Sequence, residues 1–181
     1  MQRRIVLPAA WAHPSWLSPP VPPGHERALR QASVRLLCAY PELARRRPSL
    51  AAFAQGRPAL ARFCRLLAAT WAADRVRRLI GARERDQLAA HIGRDALAHL
   101  QRQPAASFEA DHSLALTDRL QLTALGLCLC RSAHSGQGLD AWYSLRLPRQ
   151  VSEAMPEPPW PDRDAARACM ARAVRAWRAR C

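Results

Sequence analysis

The chain has 181 residues, 49% of them hydrophobic, and its 28 basic residues against 14 acidic ones give a formal net charge of +14. This length supports one hydrophobic core with appendages, while 6% aromatic residues and only 7 glycines disfavour a β-sandwich or a β-barrel. The charge favours an acidic partner, a nucleic acid or an anionic membrane surface. All of the basic residues are arginines, so part of the excess reflects the composition of the whole chain.

The N-terminal segment 11–17 combines two tryptophans with a proline, ahead of a long run of helical sequence. Pro14 fixes its own φ, lacks an N–H and disfavours helical geometry at His13, so we expect residues 1–24 to form an extended arm. Exposed tryptophans are costly, so the arm should dock either on the body of the domain or on a partner. The candidate arm-docking or partner-binding residues are Trp11, His13, Pro14, Trp16 and Leu17.

The sequence has the pattern of neither a signal peptide nor a membrane-spanning segment. Pro8, His13 and Pro14 interrupt the apolar residues 5–17, which is unlike a signal peptide. The most apolar later run, residues 122–130, is far shorter than the roughly 20 residues that a membrane span requires. We therefore expect a cytoplasmic protein without a transmembrane segment, whose 6 cysteines are reduced thiols.

Helical spacing of apolar residues predicts the first long helix over residues 26–40, with Pro41 ending it. Pro58 suits the first turn of the next helix, because the missing N–H is not needed there. The apolar stripe of that helix runs from Leu60 to Trp71 and predicts its place at the centre of the core.

Glycines punctuate the next part of the chain. Asp74 is a plausible N-cap for a short helix that ends at Gly81, and a second short helix should end at Gly93. This pattern predicts short, stacked helices.

The C-terminal third begins with residues 111–134, where leucines cover more than one face, as in a helix buried among neighbours. A short helix should follow over residues 139–147, and prolines make 148–161 an irregular connection. Asp162 can cap a last helix whose narrow face carries small residues and whose other faces carry arginines.

No segment alternates β-branched and polar residues in the manner of a strand, so the predicted fold is all-α. We expect a single compact helical domain with an extended N-terminal arm and a basic C-terminal helix. The predicted divisions are the arm at 1–24, the helical core at 25–147, the proline-rich connection at 148–161 and the basic helix at 162–181.

Residues that could carry chemistry are dispersed. The histidines form no His-Glu-x-x-His pattern, and on a helix the side chains of Cys128 and Cys130 point in different directions. The chain has neither a glycine loop for phosphate nor a Gly-x-Ser-x-Gly elbow. We expect no catalytic residue, no metal, no cofactor and no enzymatic activity.

One alternative is a DNA-binding helix-turn-helix over residues 87–100, with Gly93 at the turn. The presumed second helix offers few side chains that could read bases, namely Arg94, Asp95 and Arg102. Arg94 also stands where that motif normally buries an aliphatic residue. Nucleic acid is therefore the less favoured partner.

The pattern Trp-x-His-Pro-x-x-Leu over residues 11–17 resembles the opening motif of the SctK family, also called YscK, PscK, OrgA or MxiK. Weaker similarity continues through residues 66–100 and 139–160, and Ala12 stands where that pattern usually has a larger aliphatic residue. SctK proteins are accessory cytoplasmic components of bacterial type III secretion systems. The resemblance implies a non-enzymatic adaptor that connects the inner-membrane ring protein SctD to the sorting-platform pod protein SctQ, beneath the export gate.

Overall fold

Three helices cross at the centre of the molecule and bury most of its apolar surface against one another. They are residues Arg57–Trp71, Arg119–Ala133 and Arg163–Arg178 of a computed structural model that describes residues 7–45, 56–103, 114–137, 139–156 and 161–178. In these ranges every regular element is helical, which confirms the all-α prediction.

The described residues form eleven helices, and a 3-10 turn at Pro14–Trp16 lies between the first two. In chain order they are α1 (Pro8–Trp11), α2 (Glu26–Ala39), α3 (Glu42–Arg45), α4 (Arg57–Trp71), α5 (Ala73–Arg77), α6 (Ala82–Ile92), α7 (Arg94–Arg102), α8 (Arg119–Ala133), α9 (Asp140–Arg146), α10 (Arg149–Glu153) and α11 (Arg163–Arg178).

The main core lies between α4, α8 and α11, with α5, α6 and α7 closing one side. Large side chains in it are shielded from solvent, and each contributes about 2 kcal/mol through the hydrophobic effect. They include Leu60, Phe63, Leu66, Leu67, Leu88, Ile92, Leu100, Leu122, Leu127 and Leu129.

A glycine sets the distance between α4 and α8. A Cβ atom placed on Gly126 would overlap the carbonyl group and the Cα atom of Cys64. The two backbones can therefore approach this closely because residue 126 has no side chain. Gly126 therefore permits a direct backbone contact between the two central helices at Cys64.

The second core is smaller and joins the N-terminal segment to α2, α3 and α9. Its buried residues are Ala9, Ala12, Ala32, Leu36, Leu43, Ala141, Trp142 and Leu145. Ala12 is 1% exposed, so the small side chain at this position lies inside the second core.

The prediction of an extended arm is wrong for two short segments. Pro8–Trp11 forms a helical turn and Pro14–Trp16 a 3-10 turn, whereas Ala12 and His13 between them are extended. Each turn begins with a proline, whose fixed φ suits the first position of a helix. The restraint that Pro14 places on His13 is present as predicted, with ψ of 139° at His13.

Three further boundaries differ from the sequence prediction. Asp74 lies inside the first turn of α5, Ala72 occupies the N-cap position, and this helix ends at Arg77, whereas Gly81 is the N-cap of α6. The buried helix begins at Arg119 because Asp118 caps it, and residues 104–113 lie outside the described part of the chain. The connection predicted as irregular contains the short helix α10, Arg149–Glu153.

The other predicted boundaries are close to the observed ones. Gly93, with φ of 100°, ends α6, and Asp162 caps α11 by accepting hydrogen bonds from the N–H groups of Asp164 and Ala165 at 2.9 and 3.1 Å. The small-residue face of α11 lies in the main core, where Ala166, Cys169, Ala173 and Ala176 have no exposed surface.

Candidate functional site

The N-terminal segment is held along the edge of the second core by its own backbone. The N–H of His13 donates to the carbonyl of Leu145 at 2.6 Å, and the N–H of Ala9 donates to the hydroxyl of Ser33 at 3.2 Å. Within the segment, Nδ1 of His13 accepts from the N–H of Ser15 at 3.2 Å and so caps the 3-10 turn. We refer to residues 7–17, seated in this way, as the clasp.

Trp11 stacks face to face on Trp142 of α9, with ring centroids 4.4 Å apart and planes 11° from parallel. The guanidinium of Arg146, one turn further along α9, lies 5.7 Å from the Trp11 ring centroid. Within the described part of the chain, the Nε1 atoms of Trp11 and Trp142 are buried without a hydrogen-bond partner. This ring pair is therefore held by stacking and apolar contact.

Trp16 is fixed differently, since its Nε1–H donates to the carbonyl of Leu147 at 2.8 Å. Its ring meets Tyr40 of α2 edge to face, with centroids 6.4 Å apart. The guanidinium of Arg149 lies 6.0 Å from the Trp16 centroid, and the backbone N–H of Arg149 donates to the hydroxyl of Ser15 at 2.8 Å. Trp16 thus links α2 to the chain between α9 and α10.

Arg57 at the start of α4 joins the clasp to the main core. Its Nη2 donates to the carbonyl of Ala12 at 2.5 Å, and the carbonyl of Trp11 lies 3.4 Å from the same guanidinium. Burial, and next to it the positive charge of Arg57, lower the pKa of His13 and that of Arg146. Arg57 and Arg146 therefore place two neighbouring positive charges at this edge of the molecule.

A shallow cleft of about 210 Å³ lies between the clasp and α2. Trp16 and Leu17 line one side, and Arg35, Leu36 and Tyr40 line the other. The cleft is apolar with one arginine at its margin, which suits the side chain of an apolar residue better than a polar ligand.

The structure brings together four of the five residues that the sequence singles out. Trp11, Trp16 and Leu17 pack on the second core, and His13 makes the backbone bond to α9. Pro14 is exposed and contributes by shaping the 3-10 turn. The sequence predicts that these residues dock either on the body of the domain or on a partner. In the structure they contact the body of the domain.

Sequence reasoning missed the residues that receive the clasp. These are Arg57, Trp142, Arg146 and Arg149. The sequence signal for these residues is a local one, because Trp142, Arg146 and Arg149 follow one another at intervals of four and three residues. Nothing along the chain links that spacing to residues 11–17.

The described residues contain no group of three or more histidine, cysteine, aspartate or glutamate side chains that could hold a metal ion. Cys128 and Cys169 are buried, and burial raises the pKa of both thiols, that of Cys128 to about 11. Their thiolate forms are therefore scarce near neutral pH.

The helix pair of the DNA-binding alternative is α6 and α7. Gly93 alone joins the two helices, whereas a helix-turn-helix has a turn of three or four residues. Arg94 and Asp95 are exposed, and the opposite face of α7 is buried through Ala96 and Leu97. This geometry departs from the motif at the turn itself.

Within the described ranges, no helix has both the length and the apolar character needed to cross a membrane. Comparison of the chain with models of known protein families, with curated proteins and with solved structures finds no match.

Proposed function

We propose that this protein is a non-enzymatic adaptor of a bacterial type III secretion system that bridges an SctD-like ring protein and an SctQ-like pod protein on the cytoplasmic side of the inner membrane. The observation that carries the proposal is the Trp-x-His-Pro-x-x-Leu pattern of residues 11–17, which resembles the opening motif of SctK proteins. In this chain the pattern lies in the clasp.

Each element of the pattern has a physical use in the clasp. The proline shapes the 3-10 turn, the histidine caps it through Nδ1, the first tryptophan stacks on Trp142, and the leucine packs on the second core. The pattern therefore specifies a local structure and is more than a chance run of aromatic residues. This lends weight to the resemblance.

The outer edge of the clasp has the chemistry of a protein-binding surface. Half-buried Trp11 and Trp16 lie next to Arg146 and Arg149, and tryptophan and arginine are the residues that most often dominate binding energy at protein interfaces. Arginine also pairs with carboxylates in a bidentate geometry. An acidic segment of a partner that carries one large apolar side chain would suit this edge and the cleft beside Tyr40.

Affinity purification of the tagged full chain from a host that carries the secretion system, followed by mass spectrometry, tests the proposal. Recovery of SctD-like and SctQ-like proteins is expected, together with loss of secretion when residues 1–18 are deleted or Trp16 is replaced by alanine. Normal secretion after that deletion would contradict the proposal. Recovery of nuclease-sensitive DNA without secretion components would favour the helix-turn-helix alternative.

Because the clasp also packs on the second core, a variant that spares the fold is needed. Arg149→Glu changes an exposed side chain and breaks its surface ion pair with Glu153, which contributes little to stability, whereas the hydrogen bond to Ser15 comes from the Arg149 backbone and does not depend on the side chain. We expect this variant to keep its helical circular dichroism and to recover less of the partner proteins. Arg85→Glu on the exposed face of α6 makes the same charge change and should recover them normally.

A further inference from the structure

A second basic surface lies where the C-terminal end of α8 meets α11. An open groove of about 480 Å³ runs between them. Its apolar floor is formed by Ala133, Met170 and Val174, and its polar lining includes Arg167, Arg175 and Arg178. No carboxylate belongs to the described lining of this groove.

The arginines are arranged along one face of α11. Arg167, Arg175 and Arg178 are eight and three residues apart, which places them near one another on the helix surface, with Met170 and Val174 at i and i+4 between them. All three arginines are exposed, and none forms an ion pair with another described residue. The groove therefore combines an apolar stripe with uncompensated positive charge.

Two side chains of this surface are held in place by hydrogen bonds to the backbone of α8. Nε of Arg167 donates to the carbonyl of Ala133 at 3.0 Å, which fixes the guanidinium at the end of α8. The ring of His134 is held by a bond between Nδ1 and the carbonyl of Cys130 at 3.0 Å and lies 5.5 Å from Tyr143. A partner would lose little of its binding energy to the ordering of these side chains.

We propose that the groove between α8 and α11 binds an acidic amphipathic helix of a protein partner. An apolar stripe at helical spacing accepts the apolar face of a second helix, and the flanking arginines would pair with glutamates or aspartates that border that face. The groove is open along its length and basic at its margins, so a helix fits it better than an enclosed small molecule. The partner need not belong to a secretion apparatus.

A synthetic helical peptide tests this proposal with the purified full chain. The probe carries leucine at every third or fourth position and glutamate beside each leucine, and a control peptide carries lysine in place of glutamate. Binding of the acidic peptide and not of the basic one is expected by fluorescence anisotropy. The double variant R175E/R178E should lower the affinity for the acidic peptide by about tenfold or more.

The control variant R83E/R85E changes the net charge by the same amount on the exposed face of α6 and should change affinity by less than about twofold. A Val174→Asn variant should also weaken binding, because it makes the apolar floor polar without altering an arginine or the net charge. Restored binding between R175E/R178E and the lysine peptide would support direct pairing across the groove.

Three outcomes would overturn the proposal: no binding of the acidic peptide, equal binding of both peptides, or equal losses in R175E/R178E and R83E/R85E. Binding of a DNA duplex or of anionic vesicles through Arg175 and Arg178, with no peptide binding, would also overturn it. The peptide-binding experiment does not involve secretion. Failure of the helix-binding proposal can therefore be distinguished from failure of the adaptor proposal.

Discussion

The two cores of this protein are closed by different means. In the main core, backbones meet directly where Gly126 faces Cys64, and the large side chains around them have almost no exposed surface. In the second core, the clasp is held by a stacked ring pair, one indole hydrogen bond, one arginine and backbone hydrogen bonds that involve His13, Ala9 and Ser15, and its tryptophans stay partly exposed. The comparison indicates that the main core is the rigid frame and that the clasp can open while that frame stays intact.

The largest expected effect comes from closing the gap at the main crossing. Gly126→Ala should lower the free energy of unfolding by about 3 kcal/mol or more, because the new methyl group forces α4 and α8 apart. Gly56→Ala is the control, since its Cβ would meet no atom of the described residues nearer than Cδ of Pro58 at 3.9 Å, and it should cost about 1 kcal/mol or less. Urea unfolding measures both. Equal losses would mean that the close approach does not set the stability of the frame.

The next effect separates the two tryptophans of the clasp. Trp16→Phe removes the donor to Leu147 and leaves a buried carbonyl unpaired, so it should cost about 1 to 2 kcal/mol more than Trp11→Phe. Trp11→Phe is a matched change, because the Nε1–H that it removes has no partner. Hydrogen exchange at the His13 amide reports opening of the clasp. A larger opening in Trp11→Phe would show that ring stacking, and not the indole bond, holds the clasp.

A smaller effect is expected at the cap of α11. Asp162→Ala removes the acceptor of two N–H groups and should lower the stability of the frame measurably without increasing exchange at His13. Asp86→Ala on the exposed face of α6 removes the same charge outside a cap and should be nearly neutral. If Asp162→Ala loosened the clasp as much as the frame, the two cores would unfold as one unit.

The smallest effect is a dependence of the clasp on pH. Burial and Arg57 lower the pKa of His13 in the folded protein, so the unfolded chain binds a proton more readily than the folded one. The stability that neutral His13 provides is present above the ordinary pKa of 6.5 and is lost as the pH falls below that value. Amide exchange at Trp16 should therefore accelerate between pH 7 and pH 5 after correction for the intrinsic pH dependence of exchange.

His13→Asn keeps a side-chain acceptor for the N–H of Ser15 and should abolish this pH dependence. His25→Asn replaces an exposed histidine and should leave it unchanged. A pH dependence that persists in His13→Asn would assign the effect to another group.

Sequence patterns predict the helices of the main core well, because each has its own local signal. The stripe from Leu60 to Trp71 and the cap at Asp162 correspond to α4 and α11. The tight crossing at Gly126 is not predictable in this way, since its cause is the position of Cys64 on another helix. Asp74 failed as a predicted cap because Asp is equally at home in a first turn, where it pairs with Arg77.

The clasp residues are conspicuous in the sequence, but what they contact is not. Trp11 and Trp16 stand out by composition and by the proline between them, whereas Trp142 and Arg57 look like ordinary helical residues. Their meeting depends on how α4 and α9 pack, which is a property of the whole fold. Pro14 predicts an extended arm because it disfavours helical geometry at the residue before it. A proline also suits the first position of a helical turn, and Pro8 and Pro14 both occupy that position in the structure.

The hydrogen bonds of the clasp join residues that the ribosome synthesises at very different times. Trp16 and Leu147 are 131 residues apart, and Ser15 and Arg149 are 134 apart. A ribosome adds about 5 to 20 residues per second, so residues 11–17 emerge on the order of ten seconds before α9 exists to receive them. Trp11 and Trp16 thus leave the ribosome before the residues that seat them, and during that interval they are available to a chaperone or to a partner that engages the nascent chain.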